Sequence, residues 1–278
     1  MAIWNKILKA FLPDNKTLFE AVVIADKDGN PLTSFGPAST INISAGDVSG
    51  WSNIHKFGAV PELSINSTGT VWDRNNTIYP WAAIDNSGLG HTLTVSSVAA
   101  NNEGSLTTTE DGTQVTVMGL DVNFNEISEV IDIVGSTGTG TTVFRRIYRA
   151  FCTDGATNTS RVLIKAGAVV VACVNENWGQ TLMSVYTIPA GKTGYLLKGS
   201  SSCQASADGT VNMYVRTQAS VAFRIGHSLE VSGAGGQYIY EFPVPTMMPA
   251  GTDIDVRATS RSNKGRFTAT FDIILVDD

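Results

Sequence analysis

The sequence is poor in charged residues and contains no long apolar run. Of its 278 residues only 16% are Asp, Glu, Lys or Arg, against roughly 25% in an average soluble protein. With 19 basic and 25 acidic residues the net charge is −6, which excludes a general nucleic-acid binder because phosphate contacts need clustered Lys and Arg. No apolar run approaches the roughly 20 residues of a membrane-spanning helix. We therefore expect neither nucleic acid nor a membrane as a partner.

Cysteine and histidine are also scarce, which argues against a metal or redox centre. Cys152, Cys173 and Cys203 form no C-x-x-C pair, and the three histidines lack ligand-like spacing. We expect the cysteines to act as small buried hydrophobic residues. Residues 1–12 lack the continuous apolar stretch of a secretory signal. The sequence therefore predicts no cofactor, and maturation in a cytoplasm.

What the sequence does contain is a long series of strand and turn signals. Hydrophobic residues make up 42% of the chain and Gly contributes 27 residues, which is typical of a folded chain with many turns. Apolar and polar residues alternate in HTLTVSSV, TQVTVMG and EISEVIDIV, as in half-buried strands. Residues 37–87 look like long loops with short strands. After Trp178, strands follow at spacings of roughly 8–15 residues, as in a sandwich or jelly roll.

These patterns predict an all-β fold. We expect two antiparallel β-sandwich or jelly-roll-like domains, preceded by a short N-terminal amphipathic helix or arm. The predicted boundaries place an arm and first strand at residues 1–36, a β-rich domain at 37–176 and a jelly-roll-like sandwich at 177–278.

The N-terminal segment carries the clearest helical pattern. Its apolar residues recur at the spacing of one helical face, and Pro13 ends the pattern. Because so short a helix is marginal alone, it must dock on its own body, a neighbouring subunit or a membrane surface. As a hypothesis, six residues anchor the chain to a capsid or a second subunit: Ile3, Trp4, Ile7, Leu8, Phe11 and Leu12.

No catalytic constellation stands out, so we predict that the chain is not an enzyme. No G-x-S-x-G motif follows a strand, and no Ser or Cys pairs with a nearby His. The acidic residues lie in turns or, like Asp253 and Asp255, alternate with apolar residues on a strand, where we expect them to face solvent.

Asp121, Asn123 and Asn125 imitate the opening of a calcium-binding loop. Glu126 occupies the position where such a loop needs Gly, and a plain turn between two strands explains the segment equally well. We predict no metal, with calcium as the minor alternative.

Basic residues concentrate on two segments of this acidic chain. Arg145, Arg146 and Arg149 lie on one strand signal, and Arg257 and Arg261 lie near the last turn. They form either a solvated face or inter-subunit contacts through Arg–carboxylate pairs.

Several strings resemble virion structural proteins of tailed bacteriophages, including those of cyanobacterial and marine hosts. They are GQTLMSVYTIPAGKTGYLLKGSSS, EFPVPTMMPAGTDIDVRATSRSN and FDIILVDD, with LTVSSVAANNEG and VTVMGLDVNFNEISEVIDIVG in the first half. The resemblance covers residues 60–278. It implies a β-rich subunit that assembles on the particle, in the host cytoplasm, with the major capsid protein or other virion proteins as partners.

Two placements on the particle follow from the resemblance. The first is a head decoration (cement) protein that binds the capsid exterior and stabilises the shell as a homo-oligomer, with a trimer favoured. The alternative is a tail, neck or head fibre component that is structural or binds host glycans. In that case Trp51, Trp72, Trp81 and Tyr238 would stack on the ligand.

Overall fold

A computed structural model describes residues 7–11, 18–22, 37–99, 101–153, 157–218, 222–233 and 237–278. It is 58% strand and 5% helix, and its sheets are antiparallel. The prediction of an all-β fold with antiparallel sheets is therefore confirmed. The finer prediction of jelly-roll-like sandwiches stays a prediction.

Among the described residues the elements are a series of strands, two short α-helices and a 3-10 turn at Asn86–Gly88. The strands and α-helices are β1 (Ile7–Phe11), β2 (Leu18–Val22), α1 (Pro37–Ser44), β3 (Trp51–Leu63), β4 (Thr68–Thr70), α2 (Trp81–Asp85), β5 (Leu93–Ala99), β6 (Asn102–Leu106), β7 (Gln114–Leu120), β8 (Glu126–Asp132), β9 (Thr137–Thr139), β10 (Arg146–Cys152), β11 (Arg161–Ala166), β12 (Val169–Val174), β13 (Val185–Thr187), β14 (Lys192–Cys203), β15 (Gly209–Arg216), β16 (Arg224–Val231), β17 (Gln237–Met248), β18 (Asp253–Ser260) and β19 (Gly265–Asp277).

Two sheets share one core and form what we call the C-terminal body. Sheet I has the strand order β17-β14-β19-β3, and sheet II has the order β13-β18-β15-β16, with β4 also pairing with β18. Phe267 and Phe271 of sheet I pack in the same buried cluster as Val211, Ile254 and Val256 of sheet II. Alternation along each strand therefore sends the apolar side chains to this shared core.

One strand position of sheet II is filled by two separate pieces of chain. Beside β18, β4 ends where Val71 N–H donates to Val256 O (2.7 Å). The position continues where Val256 N–H donates to Ser184 O (3.1 Å), and β13 follows. Residues 71–184 thus leave sheet II and return to it, and we call them the inserted body.

The inserted body has its own sheets and core. Sheet III has the order β12-β11-β5-β6, with β9 pairing with β5, and sheet IV has the order β10-β7-β8. Leu93, Val117, Phe144 and Ile164 are fully buried within it. Its β10 also reaches the first core, where the Tyr148 ring lies 5.1 Å from that of Tyr186.

The strand pairing crosses the predicted domain boundary at residue 177, and one local prediction differs from the structure. β3, assigned to residues 37–176, pairs over its length with β19 near the other end of the chain. Residues 37–87, expected to be mainly loops, contain α1 and the long strand β3. Both faces of β3 are partly covered in the fold. Polar and apolar residues therefore alternate only weakly along its sequence, and the pattern does not reveal a strand.

The prediction of an N-terminal helix is wrong for the residues that the structure describes. Residues 7–11 form β1, which pairs antiparallel with β2 from Ile7↔Val22 to Phe11↔Leu18. Pairing satisfies the backbone of both segments, whereas so short a helix would leave most of its terminal N–H and C=O groups without partners. The hairpin is thus the arm that precedes the two bodies in sequence.

Gly58 on β3 lies where the inserted body leaves and re-enters sheet II. A Cβ there would lie 2.3 Å from Val71 O and 2.5 Å from Ser184 N. We expect Gly58→Ala to lower the free energy of unfolding by about 1–3 kcal/mol, because the added methyl forces the backbone apart. Urea unfolding would measure it. Gly104→Ala on the exposed β6 is the control, and equal losses in the two variants would contradict the close approach.

Candidate interaction surface and charged junction

The outermost strands β16 and β17 lie on the same side of the C-terminal body. The His227 ring of β16 lies 4.4 Å from that of Tyr240 and 5.4 Å from that of Phe242, both on β17. Within the described part of the chain, no strand pairs with the outer edge of either one. We call this side the β16–β17 edge.

Large apolar side chains are exposed along this edge. They are Ile225 on β16 and, on β17, Tyr238, Ile239, Tyr240, Val244 and Met247. Ile239 is 61% exposed and Val244 is 79% exposed. An apolar patch of this kind marks a site where a partner binds more often than a surface that stays in water.

A proline-containing bulge divides β17. Residues 242–245 lie opposite Leu197 alone, because the register shifts between Leu196↔Thr246 and Lys198↔Glu241. Pro243 and Pro245 have no backbone N–H, so two donors that a ladder with another strand would use are missing from this part of the edge. Residues 237–241 remain as the part of β17 that can pair.

Behind the bulge lies an apolar cavity of about 240 Å³ between the two sheets. Its lining includes Met213 and Val215 of sheet II, with Phe242, Met247 and Met248 of β17. Because methionine side chains adapt their shape, the cavity leaves the bulge room to adjust when a partner binds.

A cluster of buried charges joins the inserted body to sheet II. Arg146 of β10 donates from Nε to Asp253 Oδ1 (2.8 Å) and from Nη2 to Asp253 Oδ2 (3.1 Å). Its Nη1 donates to Asp85 Oδ1 (2.6 Å), which also accepts from Arg145 Nε (2.8 Å). Arg216 Nε donates to Asp253 Oδ2 (3.0 Å). This charged junction therefore connects β10, α2, β15 and β18.

The pKa values in the charged junction follow the balance between burial and pairing. Burial raises the pKa of Asp85, but hydrogen bonds from Arg145 and Arg146 outweigh it and hold this pKa below its usual value. Burial lowers the pKa of Arg146, but the hydrogen bonds and charges of Asp253 and Asp85 outweigh it and raise this pKa. Both groups stay charged, as a matched pair should.

The expectation that Asp253 and Asp255 face solvent is wrong. Both are buried, and Asp255 accepts hydrogen bonds from Trp81 Nε1 (3.0 Å), Thr70 Oγ1 (2.8 Å) and Arg257 Nε (2.8 Å). Alternation assigns one face of β18 to the core and the other to water. Here the inserted body covers that second face of β18, so the carboxylates of Asp253 and Asp255 need buried partners.

The five predicted inter-subunit arginines have different environments. Arg146 and Arg257 make their ion pairs within the chain and are not available to another subunit, which corrects that prediction for these two. Arg145 is half-buried beside Asp85. Arg149 donates to Gln180 Oε1 (3.0 Å), and Arg261 pairs with Glu230 at the surface, so for these two the contact stays a prediction.

Two of the four predicted stacking aromatics cannot meet a ligand. Trp72 and Trp81 are buried, and both pack edge-on against Tyr79 at 5.2 Å and 4.8 Å. Trp51 packs beside the small cluster under α1, and Tyr238 is exposed on β17. Trp72 and Trp81 are therefore core residues of the inserted body.

Half of the six residues of the anchoring prediction fall outside the described residues. Ile3, Trp4 and Leu12 are not among them, and Ile7, Leu8 and Phe11 lie on β1, for which the structure gives the backbone pairing.

Two further buried ionisable groups, Lys56 and Asp73, were not foreseen from the sequence. Lys56 of β3 donates to Tyr148 O, and both carboxylate oxygens of Asp73 accept from Leu182 N–H (2.9 and 3.1 Å). Burial raises the pKa of Asp73 to about 8 and lowers that of Lys56 to about 7. Lys56 and Asp73 lie in sequence that alternates only weakly, so nothing in the sequence indicates that they are buried. Only the packing of the folded chain reveals it.

The structure assigns the oxygens of Asp121 to a turn. Asp121 Oδ1 accepts from the N–H groups of Asn123 (2.8 Å) and Asn125 (2.9 Å). Among the residues that the structure describes, no group of three or more His, Cys, Asp or Glu side chains could hold a metal ion. None of the described helices is long and apolar enough to span a membrane.

Comparison with known proteins gives only remote likenesses. No protein-family model matches the sequence, and no curated protein matches it. A chain of the T13 particle of infectious bursal disease virus is 8% identical to this chain. The match covers 82% of this chain and 67% of that chain, with a TM-score of 0.23. T=1 particles derived from that virus are 9% identical, over 82% and 74%, with a TM-score of 0.20. These TM-scores carry no argument about fold or function.

Proposed function

We propose that this chain is a non-enzymatic structural protein of a virus particle. More specifically, we propose a head decoration (cement) protein of a tailed bacteriophage, which binds the capsid exterior and stabilises the shell. Its partners would be the major capsid protein or other virion proteins and further copies of itself, with a trimer favoured. It would assemble onto the virion in the host cytoplasm.

The pairing order of the C-terminal body carries this proposal. With β4 and β13 counted as one interrupted strand, the first strand (β3) pairs with the eighth (β19) and the second with the seventh (β18). The third (β14) pairs with the sixth (β17), and the fourth (β15) with the fifth (β16). A hairpin folded over in this way into two packed sheets is the proposed jelly roll, an architecture of viral capsid and lectin domains.

Because one fold serves many functions, the exposed apolar edge adds the link to assembly. The placement on the head of a phage rests on the resemblance of the sequence strings to virion proteins.

The mechanism would be passive. Each apolar square ångström removed from water at a seam between subunits contributes about 25 cal/mol, and a standard interface buries roughly 1,600 Å². Repeated over many copies, such contacts would oppose the outward pressure of the packaged genome. No bond is made or broken.

Copy number tests this placement. Quantitative mass spectrometry of purified particles should find this chain in numbers that scale with the capsid lattice. A number that matches the low rotational symmetry of a tail would instead support the tail, neck or fibre alternative. The glycan-binding version of that alternative has lost Trp72 and Trp81 as stacking platforms, so we do not propose it.

Deleting residues 1–13 tests the proposed anchor. The deleted residues precede both bodies in sequence, so we expect the melting temperature of the purified chain to stay unchanged. Its occupancy on particles and the heat resistance of the particles should fall. The replacement of Lys6 and Lys9 by Gln in the full chain is the control for charge. Unchanged occupancy after the deletion would remove residues 1–12 as the anchor.

A further inference from the structure

We propose that the β16–β17 edge pairs with the same edge of a second copy of this chain. Residues 237–241 of β17 would hydrogen-bond antiparallel with residues 237–241 of the other copy, about a two-fold axis at Ile239. The two copies of sheet I would then form one continuous sheet. The inference rests on the proposed function only in treating the chain as a subunit that assembles.

Residues 237–241 of β17 lack the protection that edge strands ordinarily carry. Exposed edges are protected from pairing by Lys, Pro, central charges or bulges. The edge strand β8 carries three carboxylates, and β16 carries Arg224 and Glu230. Residues 237–241 read QYIYE, with no Lys, Arg or Pro and one acidic residue at the end. An unprotected edge next to exposed apolar side chains indicates a strand that is paired in the assembled state.

Residues 237–241 are also complementary to themselves in one register. In antiparallel pairing centred on Ile239, Glu241 of each copy lies opposite Gln237 of the other, so no like charges meet. Tyr238 lies opposite Tyr240, and Ile239 lies opposite itself. Aromatic and β-branched cross-strand pairs of this kind are the favourable ones in sheets.

The bulge sets the length of the contact between the two copies of β17. Pro243 and Pro245 stop hydrogen bonding beyond residue 241, so the register cannot slide along the strand. Val244 in the bulge, Met247 beyond it and Ile225 on β16 are also exposed, so apolar contact between the copies would add to the pairing. A two-fold contact links copies in pairs, so the proposed trimer would have to use a separate surface.

Ile239→Lys is the test, because it places two ammonium groups opposite each other at the axis. Ile239 is 61% exposed, so the variant should fold with an unchanged melting temperature. Sedimentation equilibrium should show that the wild-type chain pairs and that the variant pairs about tenfold or more weakly, as expected for opposed like charges. Val244→Lys, at a 79% exposed position outside the pairing segment, is the matched control and should pair like the wild type.

Ile239→Cys provides the geometric test. Opposite residues of an antiparallel pair have Cα atoms about 4.5–5.5 Å apart, within the range of a disulfide. Mild oxidation should therefore cross-link two copies through the introduced thiols, with Val244→Cys and the wild type as controls. A monomeric wild-type chain, association insensitive to Ile239→Lys, or equal cross-linking from position 244 would overturn the inference.

Occupancy of Ile239→Lys on particles keeps this inference separate from the proposed function. Loss of pairing in solution with normal occupancy would support the two-fold contact and leave the capsid-binding role standing. Absence of both the wild type and the variant from particles would contradict the proposed function alone.

Discussion

Arg146→Ala is expected to lower the free energy of unfolding by about 3–5 kcal/mol, because it leaves buried carboxylates without their partner. The Arg146 side chain is 5% exposed and that of Asp253 is 3% exposed. Arg216 still contacts Asp253, and Arg145 still contacts Asp85, but neither replaces the guanidinium that lies between both carboxylates. Guanidinium unfolding monitored by tryptophan fluorescence would measure the loss.

Arg261→Ala is the matched control for this prediction. Arg261 and its partner Glu230 are 56% and 65% exposed, and exposed ion pairs contribute about 0–1 kcal/mol. Arg146→Lys should fall between the two, since an ammonium cannot make the bidentate contact to Asp253. If Arg146→Ala cost no more than Arg261→Ala, the charged junction would not hold the two bodies together.

Asp73→Asn is expected to flatten the pH dependence of stability between about pH 4 and pH 8. The pKa of Asp73 is raised from 3.8 to about 8 in the folded chain. The folded state therefore keeps a proton that the unfolded state has released, and stability falls as the pH rises through this window. The slope approaches about 1.4 kcal/mol per pH unit. Between about pH 4 and pH 8, the free energy of unfolding of the wild type should fall by about 3 kcal/mol or more relative to that of Asp73→Asn. The amide of the variant imitates the neutral carboxyl and still accepts a hydrogen bond from Leu182 N–H.

Lys56 acts in the opposite direction at higher pH. Its pKa is lowered from 10.5 to about 7 in the folded chain, so the unfolded state binds more protons and stability rises between about pH 7 and pH 10. Urea unfolding at a series of pH values would separate the two windows. Asp132→Asn, at an exposed carboxylate, is the control. Parallel pH curves for the wild type and Asp73→Asn would show that folding does not raise the pKa of Asp73.

The strands of the inserted body were largely evident from the sequence. HTLTVSSV, TQVTVMG and EISEVIDIV correspond to β5, β7 and β8. Along β7 and β8 the more buried and the more open positions alternate, the condition under which period-two alternation is visible. β5 alternates in sequence although most of its residues on both faces are buried.

What the sequence could not reveal was which strands share a sheet. Pairing of β3 with β19 joins residues about two hundred positions apart, and the interruption between β4 and β13 leaves no local mark. The charged junction was hidden for the same reason. Asp253 and Asp255 resemble solvated positions until a second body, folded from distant residues, covers them.

Pairing of β3 with β19 also has a consequence for the order of events during synthesis. β3 emerges from the ribosome with residues 64–264 still to come, and it waits without its neighbour in sheet I until β19 has been made. Such distant contacts slow folding and leave unpaired strands open to aggregation in the interval. The inserted body, whose pairings lie within residues 71–184, can fold meanwhile. Expression at low temperature or with a chaperone that shields β3 should therefore raise the soluble yield more than any change to the inserted body.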